Sequence, residues 1–405
     1  MNRSSVFISQ PGVICAAGTD AEHLWISAIE GSQKGIRLVT TAGGQQFYAA
    51  RIEDAALKKT KARLDMRITR IENAAVSQLS LLIEQVRQKY GPARIAVCAG
   101  TCDNGSELSV AGHRTFFAQG SFPKDYTLEE QGADYTASFI SEKYGISGPS
   151  LSFTTACSSS AGAVVKGAEL LRSGLADAVI AGGADVASDT VLLGFNSLEA
   201  VSHSITNPFS RNRNGITLGE GAAFFVMTRE PLDGDTDHIQ LLGSGESADA
   251  FHMTSPLADG SGAIRAMKAA LRDSGLKPQD IDYINLHGTG THLNDSMEAK
   301  AVDAVFGSYR IPAGTTKPLT GHTLGAAGAI ELAVCYETLI HNRGRTANTI
   351  QLPVQTWDHQ NDPELPELNF VCEGTIPLSG KVSVCMSNTF AFGGCNTVLI
   401  IGTAS

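Results

Sequence analysis

Cys157 sits among small and hydroxylated residues, Thr155-Ala156 before it and Ser158-Ser159-Ser160 after it. An apolar, strand-like run, Leu151–Phe153, leads into the segment, and a small-residue helical stretch from Ala161 to about Arg172 leads out of it. The spacing predicts a cysteine at a helix N-terminus. Exposed backbone N–H groups and the helix dipole favour an anion there, so the expectation is a thiol that ionises readily and attacks as a nucleophile. A free thiol titrates near ~8.5, so even a small depression multiplies the reactive fraction. Taken alone, Cys157 is equally readable as an inert buried thiol.

Two later segments supply partners. His287-Gly288-Thr289-Gly290-Thr291 follows the apolar run Ile281–Leu286. Lys317-Pro318-Leu319-Thr320-Gly321-His322 leads into a second small-residue helix, Leu324-Gly325-Ala326-Ala327-Gly328-Ala329-Ile330-Glu331. One thiol and two imidazoles thus lie at strand ends or helix mouths, bordered by glycine and threonine. Glycine lets a ligand approach the backbone, and threonine offers hydroxyls. Each histidine alone reads as structural. Together with the cysteine they describe covalent catalysis, with two donors for a developing oxyanion.

The elements that must position these residues alternate. Strand-like runs at Ile95–Ala99, Ala178–Ala181, Ala222–Met227, Ile281–Leu286, Val382–Met386 and Val398–Ile401 are separated by helical patterns. Those patterns cover Ile71–Tyr90, Ala161–Ser173, Gly262–Ser274 and Ala326–Ile340. Such alternation predicts α/β sheets covered by helices. An internal echo points to duplication. Cys157 opens one small-residue helix and His322 opens another, and each ends near an arginine, Arg172 or Arg343. The turn Glu230-Pro231-Leu232-Asp233-Gly234-Asp235 divides the chain into residues 1–235, carrying the cysteine, and 236–405, carrying both histidines. The two halves are expected to share one body.

Composition narrows the function. The chain has 405 residues and a net charge of −10, which argues against a nucleic-acid partner. Its eight cysteines are scattered, and Cys98-x3-Cys102 has no second pair to complete a zinc site. That usage implies a reducing, cytoplasmic compartment. Val6–Ala17 loosely mimics a secretory signal, but Gln10-Pro11-Gly12 interrupts it, and Val6–Ser9 reads as a first strand. No apolar run approaches the ~18–20 residues of a membrane span. Lys58, Lys59, Lys61, Arg63, Arg67 and Arg70 form a basic run against the acidic average. It is either a solvated face or a docking patch for an acidic partner.

These residues carry a resemblance. The chain resembles the β-ketoacyl-acyl-carrier-protein synthases of the condensing-enzyme (thiolase) superfamily. The matching stretches are Thr155–Ser160, Pro208-Phe209 to Gly219-Glu220-Gly221, Asp249–Pro256, His287–Thr291 with Asn294-Asp295, Lys317–Glu331, and Asn388–Gly394. They run in the family's order across essentially the whole chain. The resemblance implies a thiolase fold, with duplicated halves in five layers, α-β-α-β-α. It implies a decarboxylative condensation of an acyl-enzyme with malonyl-carrier protein, giving a 3-oxoacyl-carrier protein. Cys157 is then the nucleophile, and His287 and His322 bind the malonyl thioester oxygen. Lys317 supports them and Glu298 organises Lys317. The N–H groups of Cys157 and Phe392 form the oxyanion hole, with Phe392 gating the acyl pocket. Thr289 and Thr291 bind the phosphopantetheine arm, and Phe390, Thr254 and Asp103 also face substrate. Arg67, Arg70, Lys61 and Arg63 dock the acidic acyl carrier protein. The implied assembly is a homodimer, with a heterodimer with a chain-length-factor-like subunit left open. No bound cofactor or metal is implied.

Three departures from the family pattern bear on substrate. Phe390-Ala391-Phe392-Gly393-Gly394 has alanine where the family usually has glycine, which predicts a stiffer gate. Asn207-Pro208-Phe209-Ser210 replaces a motif with two charges, so a charge pair is expected to be missing. Gly100–Gly105 is polar where relatives line the far end of the acyl pocket, so Asp103 must be paired, wet or turned away. The Ala391 variant and Gly215-Ile216-Thr217-Leu218-Gly219-Glu220-Gly221 look more like synthases of specialised polyene or polyketide clusters. A thiolase, with Cys385 or Cys395 as a second acid/base, is the alternative enzyme.

Overall fold

The computed structural model describes residues 5–60, 65–124, 126–127, 131–372 and 374–403. Among these, a 12-stranded mixed sheet has two arms that repeat one pattern. In the first arm Ser150–Phe153, Ile95–Gly100 and Ala178–Asp185 run parallel, and Gly221–Thr228 pairs antiparallel to the last. In the second, Pro312–Gly314, Tyr283–Asn285 and Val384–Phe390 run parallel, and Cys395–Thr403 pairs antiparallel to the last. Ile239–Ala248 continues the second arm. The short strand Phe7–Ile8 joins the arms by pairing with both Gly221–Thr228 and Ile239–Ala248.

Helices Ser159–Arg172 and Ala327–His341 pack on each other between the arms. Arg67–Ser77 and Tyr135–Tyr144 cover the outside of the first arm, and Ser261–Ser274 and His292–Phe306 the second. The layers are therefore α-β-α-β-α. Sequence character matches layer. Every residue from Ala327 to Leu339 is buried, as a helix apolar on all sides must be. The outer helix Ser261–Ser274 buries only one face, including Ala263, Met267 and Ala270, and leaves Arg265 and Lys268 to solvent. The parallel strands Ile95–Gly100 and Ala178–Asp185 are buried along their whole length, which is why they read as unbroken apolar runs. The close crossing of the central helices depends on a missing side chain: a Cβ at Gly328 would lie 2.8 Å from the Ala161 Cβ.

The expected helix Ile71–Tyr90 is two helices, Arg67–Ser77 and Ser80–Tyr90. The break has a cause: the Gln78 amide bonds the Val13 and Thr19 carbonyls, and Leu79 is fully buried.

Candidate active site

The strand Ser150–Phe153 ends just before Ala156, which takes a left-handed φ of +51°. One 3₁₀ turn, Ala156–Ser158, then feeds the helix from Ser159. Hydroxyls fasten this turn: Ser158 Oγ donates to the Thr155 carbonyl at 2.8 Å and Ser159 Oγ to the Ala156 carbonyl at 2.6 Å. Cys157 is thereby held with its sulfur facing the backbone N–H groups of Phe392 and of Cys157 itself. Its Sγ lies 3.0 Å from His322 Nε2.

The expectation of a depressed thiol is overturned. Burial pushes Cys157 up to about 11, outweighing the Lys317 charge and the two N–H groups that pull it down. The helix N-terminus is present, but the sulfur is out of water, and desolvation is the larger effect.

His322 is held by the backbone. Its N–H donates to the Thr217 carbonyl at 2.7 Å, and its carbonyl accepts from Gly219 N–H at 2.9 Å. His287 is held by a carboxylate: Glu298 accepts from the His287 and Gly288 N–H groups, both at 2.8 Å, and from the Asn388 amide at 3.1 Å. The two rings stand nearly perpendicular with centroids 5.2 Å apart. Burial, reinforced by Lys317, holds both imidazoles well below the usual histidine range, so both are neutral at pH 7.

Lys317 is 1% exposed, contacts Glu331, and lies 3.3 Å from His287 Nδ1. An ammonium only donates, so Nδ1 accepts and the His287 proton sits on Nε2. The expected pairing of Glu298 with Lys317 is corrected: the lysine's carboxylate is Glu331, and Glu298 is spent on backbone amides. Burial raises both Glu298 and Glu331 to about 7.

A cavity of about 350 Å³ opens onto this cluster. Cys157, His287, His322, Thr289, Thr291, Thr254, Phe390 and Phe392 all line it, so most of the expected site residues meet in one place. Thr289 and Thr291 share a hydroxyl hydrogen bond of 3.0 Å on one wall. Phe392 stacks on Phe195 with centroids 5.8 Å apart. Ala391 has φ −113° and ψ 153°, an extended conformation open to any residue.

Asp103 does not line this cavity. Its carboxylate accepts from Gly105 N–H at 2.8 Å, Tyr135 Oη at 2.7 Å and the Ser106 hydroxyl, so it is paired internally rather than offered to substrate. Arg67 is also corrected. Its guanidinium grips the fully buried Glu220 and also bonds Asp54 and the Ile52 carbonyl. Arg70 is bidentate on Asp65. Both guanidiniums are thus paired with carboxylates of this chain. Lys61 and Arg63 lie outside the described residues. Around Asn207–Ser210 the loop is fastened by the Arg213–Asp362 ion pair at 2.5 Å and by Asn212 to Asp358 at 2.8 Å.

Sequence reasoning gave no role to Glu331, Asn388, Phe195 or Asp185. Glu331 and Asn388 stand inside the matching stretches, and an acid in the otherwise small and apolar helix Leu324–Glu331 is the signal that a buried cation had to be near it. Among the described residues, Cys157, His287 and His322 are the only set whose donor atoms could converge on a metal, all within 4.8 Å. The Lys317 ammonium beside them opposes a dication.

Comparison with known proteins places these features in context. The family model described as Beta-ketoacyl synthase, N-terminal domain, matches residues 12–232, and the C-terminal domain model matches 238–349. Nodulation protein E of Rhizobium meliloti is 31% identical over 97% of this chain and 98% of its own length. A 3-oxoacyl-[acyl-carrier-protein] synthase 2 of Coxiella burnetii is 30% identical over 99% of each. A solved ketosynthase of Xenorhabdus doucetiae, in complex with its chain length factor, superposes with a TM-score of 0.89 at 37% identity, covering 99% of this chain and 98% of that one.

Proposed function

The chain belongs to the beta-ketoacyl synthase family, and on that premise we propose that it condenses a Cys157-bound acyl group with malonyl-acyl carrier protein. The observation that carries the reading is the 3.0 Å contact of Cys157 Sγ with His322 Nε2, with His287 perpendicular beside it.

In the first half-reaction Cys157 attacks the acyl thioester. His322 Nε2–H donates to the developing thiolate, the sulfur's proton passes to the carrier's sulfur as it departs, and the carbonyl oxygen turns toward the N–H groups of Cys157 and Phe392. The carrier's carbon–sulfur bond breaks and its thiol leaves with the proton. A thiol held near 11 ionises only as it attacks, which keeps the resting sulfur quiet toward other electrophiles. In the second half-reaction malonyl-carrier loses CO2. The electron pair becomes an enolate whose oxygen accepts from Nε2–H of His287 and of His322. Its carbon attacks the acyl-enzyme carbonyl, and Cys157 leaves as thiolate. Two neutral donors suit this step, because they bind the enolate without offering a ready proton that would quench its carbon.

Thr289 and Thr291 line the cavity with paired hydroxyls, which supports a role for them in holding the phosphopantetheine arm. The thiolase alternative needs a second thiol at the sulfur, and neither Cys385 nor Cys395 lines the cavity. The reading includes a second thiolase-fold subunit, a copy of this chain or a chain length factor like that of the X. doucetiae ketosynthase. The open edge strand Ser150–Phe153, with Leu151 exposed and uncharged, supports it. Eight unpaired cysteines support a reducing, cytoplasmic setting, and among the described residues no helix is long and apolar enough to cross a membrane.

The test is a mass-spectrometric condensation assay with malonyl-carrier and a panel of acyl-carriers, alone and with a candidate second subunit. A 3-oxoacyl product with CO2 release, lost in Cys157→Ala, supports the reading. No product from any primer under either condition overturns it.

A further inference from the structure

Asp185 ends the strand Ala178–Asp185 and is fully buried. One oxygen, Oδ2, accepts two backbone amides from opposite halves of the molecule. Cys102 N–H comes from the loop after Ile95–Gly100, at 2.8 Å, and Gly325 N–H from the turn three residues past His322, at 2.7 Å. Gly325 is shaped around the carboxylate. A Cβ there would stand 2.8 Å from Asp185 Oδ2 and 2.7 Å from the Thr101 carbonyl carbon. The turn therefore rests on the acid, and the acid fixes how far His322 advances toward Cys157.

We propose that Asp185 is a positioning residue for the condensation: its carboxylate sets the His322 turn against the Cys157 turn. The proposal rests on the condensing reading for its reaction step, while alkylation of Cys157 is independent of it. Cys157 Sγ is faced by His322 Nε2 at 3.0 Å and by the Phe392 and Cys157 N–H groups, and it feels the charges of Lys317 and Asp185. Lys317 favours the thiolate and Asp185 opposes it. Asp185 is itself faced by Asp103, and by the amides of Cys102, Gly325 and Val186. Cys102 and Tyr135 complete its surroundings. Burial and Asp103 push Asp185 up to about 7, against the three amides that favour its charge.

Two variants separate charge from geometry. Asp185→Asn keeps an oxygen for the two amides and removes the charge. Gly325→Ala keeps the charge and displaces the turn. Cys157 alkylation by iodoacetamide is followed by intact-protein mass spectrometry across pH 6–10, and decarboxylation of malonyl-carrier is followed by CO2 release. For Asp185→Asn the expected result is decarboxylation lower by about threefold or more, because a neutral oxygen holds the two amides less firmly, with Cys157 still alkylated. For Gly325→Ala the expected result is a decarboxylation rate at least about tenfold lower, with the alkylation profile retained. Circular dichroism confirms that each variant is folded at the assay temperature. Decarboxylation unchanged in folded Asp185→Asn or in folded Gly325→Ala overturns the proposal. Wild-type protein that alkylates as described but condenses nothing would instead count against the condensing reading.

Discussion

Nζ of Lys317 lies 3.3 Å from Nδ1 of His287, inside a site where the lysine is 1% exposed. This contact assigns the histidine tautomer and places a positive charge behind both imidazoles. Lys317→Ala leaves Glu331 buried without a counter-charge and His287 free to switch tautomer. The expected loss is about 3–5 kcal/mol of stability, read by chemical denaturation. Lys317→Ala/Glu331→Leu should recover much of the stability without recovering decarboxylation.

His287→Ala and His322→Ala each remove one donor to the enolate. Decarboxylation should fall by about 10²–10³ in either variant. Their effects on acyl transfer should differ, because only His322 reaches Cys157 Sγ. Single-turnover acylation from an acyl-carrier, quenched and weighed by mass spectrometry, should slow strongly in His322→Ala and weakly in His287→Ala.

The pH behaviour follows from the direction of each shift. Both imidazoles are held below the usual range, so they stay neutral as pH falls through 6.5, and decarboxylation should be flat from pH 8 to pH 6. Stability runs the other way for the buried acids. Glu298 binds its proton up to about 7 when folded, and only to the ordinary glutamate value of about 4.5 when unfolded. The folded state therefore holds the extra proton between those limits, and the stabilisation this gives is lost as pH rises through them. At ~1.36 kcal/mol per unit the effect is of order 3 kcal/mol. Removing the titrating group in Glu298→Gln should reduce the fall in melting temperature between pH 4.5 and pH 7, whatever its absolute stability.

Arg67→Ala should behave as a stability mutant. Glu220 is fully buried and would be left without its bidentate partner, at a cost of about 3–5 kcal/mol. The KM for acyl-carrier should stay within about twofold of wild type, measured below the variant's melting temperature. A large rise in KM with unchanged melting would restore Arg67 as a docking residue.

Much of this site was legible because its chemistry is local. Cys157, His287 and His322 each stand at a junction of an apolar run and a glycine- or small-residue-rich turn, and such junctions can be read along the chain. The α/β layering was equally accessible from the apolar runs. What the sequence withheld depends on contacts between distant segments. Nothing local says that Arg67 meets Glu220, that Lys317 meets Glu331, or that Asp103 meets Tyr135. The thiol's behaviour was misjudged for the same reason. A helix N-terminus is visible in sequence, whereas the depth of burial of Cys157 is set by walls from across the fold.

Ala156 and Leu324 share a φ of +51°, and each begins a 3₁₀ turn that feeds one of the two central helices. The next residue is Cys157 in one case and Gly325 in the other. A duplicated architecture thus contains two equivalent seats for a nucleophile, and only one is filled. The vacant seat is not spare capacity, since the Asp185 carboxylate occupies the volume that a side chain would need. Symmetry in the backbone has been broken in the side chains, so that one copy performs bond-making and the other has become its support.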